Sequence, residues 1–305
     1  MTQWDAIGVG LVVRDFFVVM DRYPASDEKL PAREIRETGG GPVPTALVTM
    51  ARFGCKTAIA GVVGNDIGGR FLVDDLEREH INVDAVAVRE GFESPTSVII
   101  VVENGRRTIL EAPRGVGFPL TWDDVAALPF DDCGALLLDA RKIDVQLQAA
   151  ERVRKAGGLV VLDCGHPREG VDDLVALSDV VIFSHTYPSA LFGPDYDVED
   201  FVRQTVDKLP ASGPAIAGVT LGAEGCALAS RDQPFFRLPG IAVEAVGMDT
   251  TGAGDVFHGA FTHAFLKTKS VRDAARFANL TAARKCEGMT GRAPLPPERD
   301  LWAKL

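Results

Sequence analysis

The chain has 305 residues, of which 46% are hydrophobic and 25% are charged, a composition typical of a folded globular protein rather than a disordered or fibrous one. Its formal net charge of −11 is not offset by a basic tail, which argues against nucleic acid or an anionic membrane as the main partner. Five widely spaced cysteines, acids early in the N-terminal segment and the lack of an apolar run long enough to cross a bilayer predict a cytoplasmic protein.

Short apolar runs alternate with amphipathic segments along most of the chain. Strands are predicted, in chain order, in "AIGVGLVV", "TAIAGVVG", "ALLLDA", "GLVVLD", "VVIF" and "AIAGVTLG". Helices are predicted in "PTALVTMARFG" and "GRFLVDDLEREH". Runs that are apolar on both faces, with helices between them, are typical of a parallel sheet covered on both sides. An α/β fold around a central, mostly parallel sheet is therefore predicted.

Two segments break this alternation. Residues 12–37 are predicted to form a strand, a turn and a second strand, and residues 96–111 a hairpin with Asn104 and Gly105 in its turn. We expect these strands to form a small antiparallel sheet outside the main one. Because such a sheet has an exposed apolar face, we expect it to cover a site, a partner subunit or both.

The segment "DTTGAGDVFHGAF", residues 249–261, combines small residues with a single acid, Asp255. Apolar residues repeat every four positions from Val256, which predicts a helix beginning at Asp255. Three small residues come directly before it: Gly252, Ala253 and Gly254. The unpaired amides of a helix N-terminus bind anions, and an acid there is either a helix cap or a general base. The residues alone leave both alternatives open.

As a general base, Asp255 would orient an attacking hydroxyl and accept its proton. The amides of the three small residues would then hold the charge that develops on a transferred phosphoryl group. Phosphoryl transfer depends on positioning and charge stabilisation more than on covalent chemistry, so few residues are needed.

The same segment matches every fixed position of the signature D-T-x-G-A-G-D-x-F and so resembles the ribokinase-like (PfkB) family of carbohydrate kinases. Two more segments resemble that family in the same order: "GGPVPTALVTMARFG", residues 40–54, and "VTLGAEGC", residues 219–226. The resemblance covers nearly the whole chain. It implies a single kinase domain with a ribokinase-like three-layer α/β/α fold, in which segments at about 12–37 and 94–114 form a β lid.

The resemblance also implies an ATP-dependent sugar kinase that uses Mg²⁺. Asp255 takes the place of the general base, and the amides of residues 252–254 take the place of the anion hole. The implied nucleotide-binding residues are Thr220, Gly222, Gly225, Asp249, Thr250 and Asn279. A solvated helical residue is the alternative for the last of these. Ser184 and Tyr187 stand at the family's N-x-x-E element, so no magnesium ligands are assigned.

On the sugar side, the residues implied by the resemblance are Asp15, Lys29, Gly40, Gly41, Thr45, Glu111 and Arg141. The chain is most similar to the branch that contains kinases of 6-deoxy-6-sulfofructose, in which Lys29 and Arg141 match two sulfonate-binding places. Glu111 stands where that branch has Asn, and a carboxylate repels an anion unless a cation neutralises it. Arg106, Arg107 and Arg114 are candidates for that cation, and sulfofructose, fructose-type and ribose-type substrates stay open.

Other functions remain as alternatives. A nucleoside kinase of the same family shares the same base and anion hole, whereas a sugar or nucleotide sensor would need no base. A P-loop NTPase is excluded, because G-x-x-x-x-G-K-[ST] does not occur. The resemblance further implies a homodimer formed through the β lid.

Overall fold

The computed structural model describes residues 2–102, 106–111, 118–243 and 249–305. Within them, the strands are β1 (Trp4–Val9), β2 (Val13–Met20), β3 (Glu34–Gly40), β4 (Thr57–Gly64), β5 (Ile81–Arg89), β6 (Thr96–Val102), β7 (Arg107–Glu111), β8 (Cys133–Leu138), β9 (Leu159–Cys164), β10 (Val180–Ser184), β11 (Ile216–Thr220), β12 (Cys226–Ser230) and β13 (Phe236–Leu238). The α-helices are α1 (Pro42–Arg52), α2 (Ile67–Arg78), α3 (Trp122–Val125), α4 (Ile143–Ala156), α5 (Val171–Leu177), α6 (Thr186–Phe192), α7 (Val198–Lys208), α8 (Ala253–Thr268), α9 (Val271–Lys285) and α10 (Glu298–Trp302).

The larger sheet has the strand order β13-β12-β11-β10-β9-β8-β1-β4-β5. All pairs from β11 to β5 are parallel, and β12 and β13 add an antiparallel edge. Every residue of β4 is buried, as expected for a parallel strand covered on both faces. The predicted parallel sheet is confirmed, and each apolar run quoted for it overlaps one of these strands.

Helices cover both faces of this sheet and give the three predicted layers. Apolar residues of α1, α2, α8, α9 and α10 form one core with one face of the sheet. The residues of α4, α5 and α7 form a second core with the other face. In the first core, α8 lies so close to α1 that a Cβ on Gly259 would come within 2.3 Å of the carbonyl oxygen of Ala46. This contact fixes the position of α8, whose N-terminus carries the predicted site.

The smaller sheet has the order β3-β2-β6-β7, and we call it the lid. Its two outer pairings are antiparallel, including the predicted hairpin of β6 and β7, while the central pairing of β2 with β6 is parallel. This pairing is parallel because β2 follows β1 and β6 follows β5, and β1 and β5 run in the same direction in the larger sheet. The predicted turn residues Asn104 and Gly105 lie outside the described residues.

The lid has two unlike faces. Phe17, Ile99 and Val101 are buried on its inner face and pack against Met289. The inner face therefore packs against the body of the protein.

In the ranges given above, no helix combines the length and the apolar character needed to cross a bilayer.

Candidate active site

The N-terminus of α8 is formed by a sharp turn at Gly252. This residue is the N-cap, with φ of 73°, and a Cβ there would lie 2.7 Å from the Cα of Gly291. Glycine is required because a side chain would be strained at this φ and would collide with the facing backbone. A Cβ on Gly254 would meet nothing within 4 Å, so the turn is open on that side. The predicted helix is confirmed, although it begins at Ala253 and not at Asp255, and the amide of Ala253 donates a 3.2 Å hydrogen bond to the carbonyl oxygen of Thr250.

Asp255 is the third residue of α8, and because Gly252 is the N-cap, the alternative that Asp255 caps the helix is wrong. Burial and the nearby carboxylate of Asp163 raise the pKa of Asp255 to about 7, against the opposing charges of His258, Lys285 and Arg292. A carboxyl group that titrates near neutral pH is suited to accept a proton.

A row of polar side chains crosses the inner face of the lid and includes Asp15. Strand register aligns Thr38 of β3, Asp15 of β2, Ser97 of β6 and Glu111 of β7. Burial raises the pKa of Asp15 to about 7, although Arg292 attracts its charge, and the charges of Asp255 and Glu111 add to the rise. The fold thus brings Asp15 of the lid into the electrostatic range of Asp255 on α8.

The two predicted glycines of the sugar side lie at the end of β3. A Cβ on Gly40 would come within 1.9 Å of Oδ2 of Asp15, so the backbone there packs directly on this carboxylate. Gly41 has φ of 98° and faces the carbonyl oxygen of Leu11, 2.0 Å from the position of a Cβ. Thr45 is buried in the first turns of α1, with its Oγ1 3.5 Å from Nε of Arg292. These residues line the same region as Asp15.

Arg292 is a site residue that the sequence reasoning missed. It is 6% exposed, forms an ion pair with Asp75 of α2, and donates a 3.3 Å hydrogen bond to the carbonyl oxygen of Gly40. Its charge also acts on both Asp15 and Asp255. An isolated arginine in "GRAPLP" gives no sequence signal of this position, since its partners come from distant segments.

Asp249 and Lys285 hold the loop that precedes α8. Both are fully buried, and the Lys285 ammonium donates a 2.6 Å hydrogen bond to the carbonyl oxygen of Asp249. The carboxylate of Asp249 accepts hydrogen bonds from the backbone amides of Thr251 and Thr290, both at 2.9 Å. Both carboxylate oxygens of Asp249 are therefore used to hold the loop in place. Contact of Asp249 with a nucleotide stays a prediction. Lys285 was missed for the same reason as Arg292.

Two further polar contacts between described residues join the lid to the body near this site. Arg107 donates a hydrogen bond to Oγ1 of Thr250, beside the glycine turn at the start of α8. Arg141, which follows β8, lies 3.9 Å from the carboxylate of Glu111. Arg141 and Glu111 are thus brought together as neighbours. The predicted Lys29 lies in the exposed loop between β2 and β3, and no contact joins it to the other site residues in the part of the chain that the structure covers.

The comparisons with known proteins agree with this geometry. The pattern of the pfkB family carbohydrate kinases matches residues 6–298. The chain belongs to this family. It is a carbohydrate kinase, as the resemblance of its motifs implies.

Individual relatives of this kinase cover most of the chain. An uncharacterized sugar kinase of Archaeoglobus fulgidus is 32% identical over 259 residues, which are 82% of this chain and 99% of that protein. A ribokinase of Arabidopsis thaliana is 28% identical over 97% of this chain and 79% of its own length. A solved structure of an Arabidopsis thaliana ribokinase with ribose and ATP has a TM-score of 0.80 and 23% identity, covering 99% of this chain and 98% of that one.

Three of the residues predicted to contact the nucleotide of this kinase lie at the end of β11 and in the following turn. Thr220 ends β11, and Gly222 and Gly225 have φ of 61° and 95° in the turn towards β12. A Cβ on Gly225 would lie 2.1 Å from the carbonyl oxygen of Leu238. Asn279 of α9 donates a 2.8 Å hydrogen bond to the neighbouring carbonyl of Pro239. The turn and Asn279 therefore both contact the backbone at Leu238 and Pro239. Their contact with a nucleotide stays a prediction.

Among the described residues, no group of three or more His, Cys, Asp or Glu side chains is placed to hold a metal ion. Tyr187, at the place of the family's glutamate, is 5% exposed and packs against Phe183 with ring centroids 4.6 Å apart. Its environment is apolar and does not fit a metal.

Proposed function

We propose that this kinase transfers the γ-phosphoryl group of ATP to a primary hydroxyl of a neutral sugar, a ketose of the fructose type or a pentose of the ribose type. The observation that carries the proposal is Asp255. Asp255 lies in the first turn of α8, directly after the glycine turn, and its carboxyl group has a pKa of about 7. A base next to an anion-binding turn is what transfer to an alcohol requires.

In the proposed reaction, the oxygen of the sugar hydroxyl attacks the γ-phosphorus and its proton passes to Asp255. A new oxygen–phosphorus bond forms as the bond to the β,γ-bridging oxygen breaks, and ADP leaves. The amides of Gly252, Ala253 and Gly254 stabilise the charge on the migrating group. Asp15 accepts hydrogen bonds from sugar hydroxyls, and the contact of Arg107 with Thr250 keeps the lid closed against water.

A neutral sugar fits the charges on the lid side better than a sulfonated one. Arg141 faces Glu111, so its charge is already opposed by a carboxylate. Arg292 is opposed by Asp75 and Asp15. A sulfonate or phosphate placed among these acids would meet repulsion that the neighbouring cations only partly offset. The Arabidopsis ribokinase solved with ribose and ATP supports the assignment of ATP as the donor and a neutral sugar as the acceptor.

The test is the release of ADP from Mg²⁺-ATP in the presence of single candidate acceptors: ribose, fructose, 6-deoxy-6-sulfofructose and adenosine. We expect turnover with a neutral sugar and none with adenosine. Turnover only with adenosine would mean a nucleoside kinase, turnover only with the sulfosugar would overturn the charge argument, and binding without any turnover would mean a sensor.

Two variants test the proposed roles of Asp255 and Asp15, using whichever sugar the kinase turns over. Asp255→Asn should lower kcat by about 10³-fold, while calorimetry shows ATP binding close to that of the wild type. Asp15→Asn should act mainly on KM, because it loses hydrogen bonds to the sugar in the ground state. Near-normal kcat in Asp255→Asn would contradict the role of Asp255 as the base.

A further inference from the structure

A buried histidine lies directly behind the anion-binding turn. His258 is on α8, one turn after Gly254, and is 3% exposed. Its Nδ1 is 2.7 Å from the carbonyl oxygen of Gly254 and 3.3 Å from Oδ2 of Asp163, at the end of β9. Its Nε2 is 3.1 Å from the carbonyl oxygen of Ile182 in β10. One imidazole therefore connects the first turn of α8 with two strands of the larger sheet.

The surroundings of the ring specify its charge. Both ring nitrogens of His258 face backbone carbonyl oxygens, which only accept hydrogen bonds. A neutral imidazole has one nitrogen that donates, so it would leave a carbonyl oxygen against a nitrogen lone pair. A proton on Asp163 would not remove this conflict, because the oxygen of Gly254 would still lie 2.7 Å from the unprotonated Nδ1. Only the doubly protonated imidazolium donates to both carbonyl oxygens.

The same helix contains a histidine with the opposite surroundings. His263 is 2% exposed, with Nε2 2.8 Å from the carboxylate of Glu298 and Nδ1 3.1 Å from Sγ of Cys55. Burial raises the pKa of the Cys55 thiol to about 12, so the thiol keeps its proton and donates it to Nδ1. One neighbour accepts and one donates, which suits a neutral ring. Burial also lowers the pKa of His263, in agreement with this state.

We propose that His258, as an imidazolium paired with the carboxylate of Asp163, is a positioning residue that fixes the first turn of α8 and balances the charge beside Asp255. The proposal rests on the proposed function, in which Asp255 is the base. The carbonyl of Gly254 belongs to the same peptide group as the amide of Asp255, so a hydrogen bond to this carbonyl orients the amide at its other end. His258 does not need to touch the substrate.

The charges around Asp255 give the proposal measurable consequences. The carboxylate of Asp163 raises the pKa of Asp255, and the charges of His258, Lys285 and Arg292 lower it. The lid contributes Asp15, whose own pKa rises in response to Asp255. Asp139 and Arg141, beyond the end of β8, act on Asp163 with opposite signs. Loss of the imidazolium alone should therefore make Asp255 harder to ionise.

The first experiment is ¹⁵N NMR of the full-length protein with labelled histidine side chains, assigned with His258→Gln. At pH 7.5 we expect both nitrogens of His258 to carry protons and His263 to show one protonated nitrogen. A neutral His258 at pH 7.5 in the wild type would overturn the proposal.

The second experiment follows the carboxyl carbon of Asp255 by ¹³C NMR during a pH titration. His258→Gln should move the midpoint upward by about one pH unit, because a nearby cation is lost. The double variant with Asp163→Asn, which also removes the anion, should return the midpoint towards the wild-type value. His263→Gln is the matched control, since it removes a buried histidine from the same helix away from Asp255, and it should leave the midpoint unchanged.

A midpoint that stays fixed in His258→Gln, or shifts equally in His263→Gln, would mean that His258 serves only packing. Neither NMR experiment uses a sugar or ATP. A failure here is therefore distinguishable from a failure of the proposed function, which the release of ADP tests by itself.

Discussion

Asp255 illustrates the energetic cost of burying a carboxyl group. Its pKa in the folded protein is about 7, compared with 3.8 for an unperturbed aspartate, because burial and Asp163 disfavour its charge. The folded state then binds a proton more tightly than the unfolded state. This contribution to stability is fully present below pH 3.8 and is lost as the pH rises through about 7. Above neutral pH the ionised carboxylate of Asp255 destabilises the fold.

Asp255→Asn removes this charge and should stabilise the protein. We expect its Tm to exceed that of the wild type by a few degrees at pH 8, and by less at pH 5.5, where the wild-type carboxyl is largely protonated. Thermal unfolding at the two pH values measures the difference. Asp207→Asn, on the exposed side of α7, is the control and should change Tm little at either pH. A variant less stable than the wild type at pH 8 would contradict the argument.

At the scale of elements, the short helix α10 is attached to α8 through one carboxylate. Glu298 accepts hydrogen bonds from Lys267 at 2.7 and 2.9 Å, from His263 at 2.8 Å and from Trp302 at 3.0 Å. Partial burial raises the pKa of Glu298, but these donors outweigh it and hold the pKa at about 2. A five-residue helix has little stability of its own, so this cluster and the stacking of Trp302 on Phe277 hold it in place.

Glu298→Gln should therefore lower the free energy of unfolding by about 1.5–3 kcal/mol at pH 7, the range for hydrogen bonds to a charged group. Because the pKa is depressed, the contribution is present above pH 4.5 and is lost as the pH falls towards about 2. The difference between variant and wild type should narrow from pH 7 to pH 3.5 in urea unfolding. Arg299→Gln is the neighbouring control, since the Arg299 side chain is 87% exposed. An equal loss of unfolding free energy in the two variants would contradict a stabilising role of the hydrogen bonds to Glu298.

At the scale of the whole molecule, the outer face of the lid is apolar and has no other layer against it among the packed clusters of the described chain. Strand register and alternation place six apolar residues on this face: Phe16, Val18, Ile35, Val98, Ile100 and Leu110. Ile35 is 66% exposed and Leu110 is 53% exposed. A continuous apolar face on a small sheet is typical of a protein interface. We therefore keep the prediction of a homodimer formed through the lid.

Light scattering at micromolar concentration should give the mass of a dimer. The double variant Ile35→Glu and Leu110→Glu should weaken association by about 100-fold, because it places charges in an apolar interface. Leu191→Glu, at a residue of α6 that is 50% exposed, introduces the same charge elsewhere and should leave the dimer intact. A wild-type monomer, or equal dissociation in the control, would contradict a dimer through the lid.

The sequence by itself predicted the main strands and several helices of this kinase, and it indicated Asp255 as a candidate base. Apolar runs and four-residue repeats are local properties of the chain, and they indicated the parallel sheet, the lid strands and α8. The glycine turn and Asp255 are contiguous, so one short segment was enough to predict the anion-binding corner. Whether Asp255 was a cap or a base stayed open, because the choice of N-cap depends on how Gly252 packs against Gly291.

Tertiary structure decided which charges belong to the site and what state they are in. Arg292 and Lys285 look like ordinary surface cations in the sequence, but both are buried beside the site. Arg292 meets Asp75 across 217 residues of chain, and Arg141 meets Glu111 across the boundary between body and lid. A charge is stabilised or opposed by whatever lies within a few ångströms of it. The fold alone sets those distances, so no local pattern around these residues encodes them.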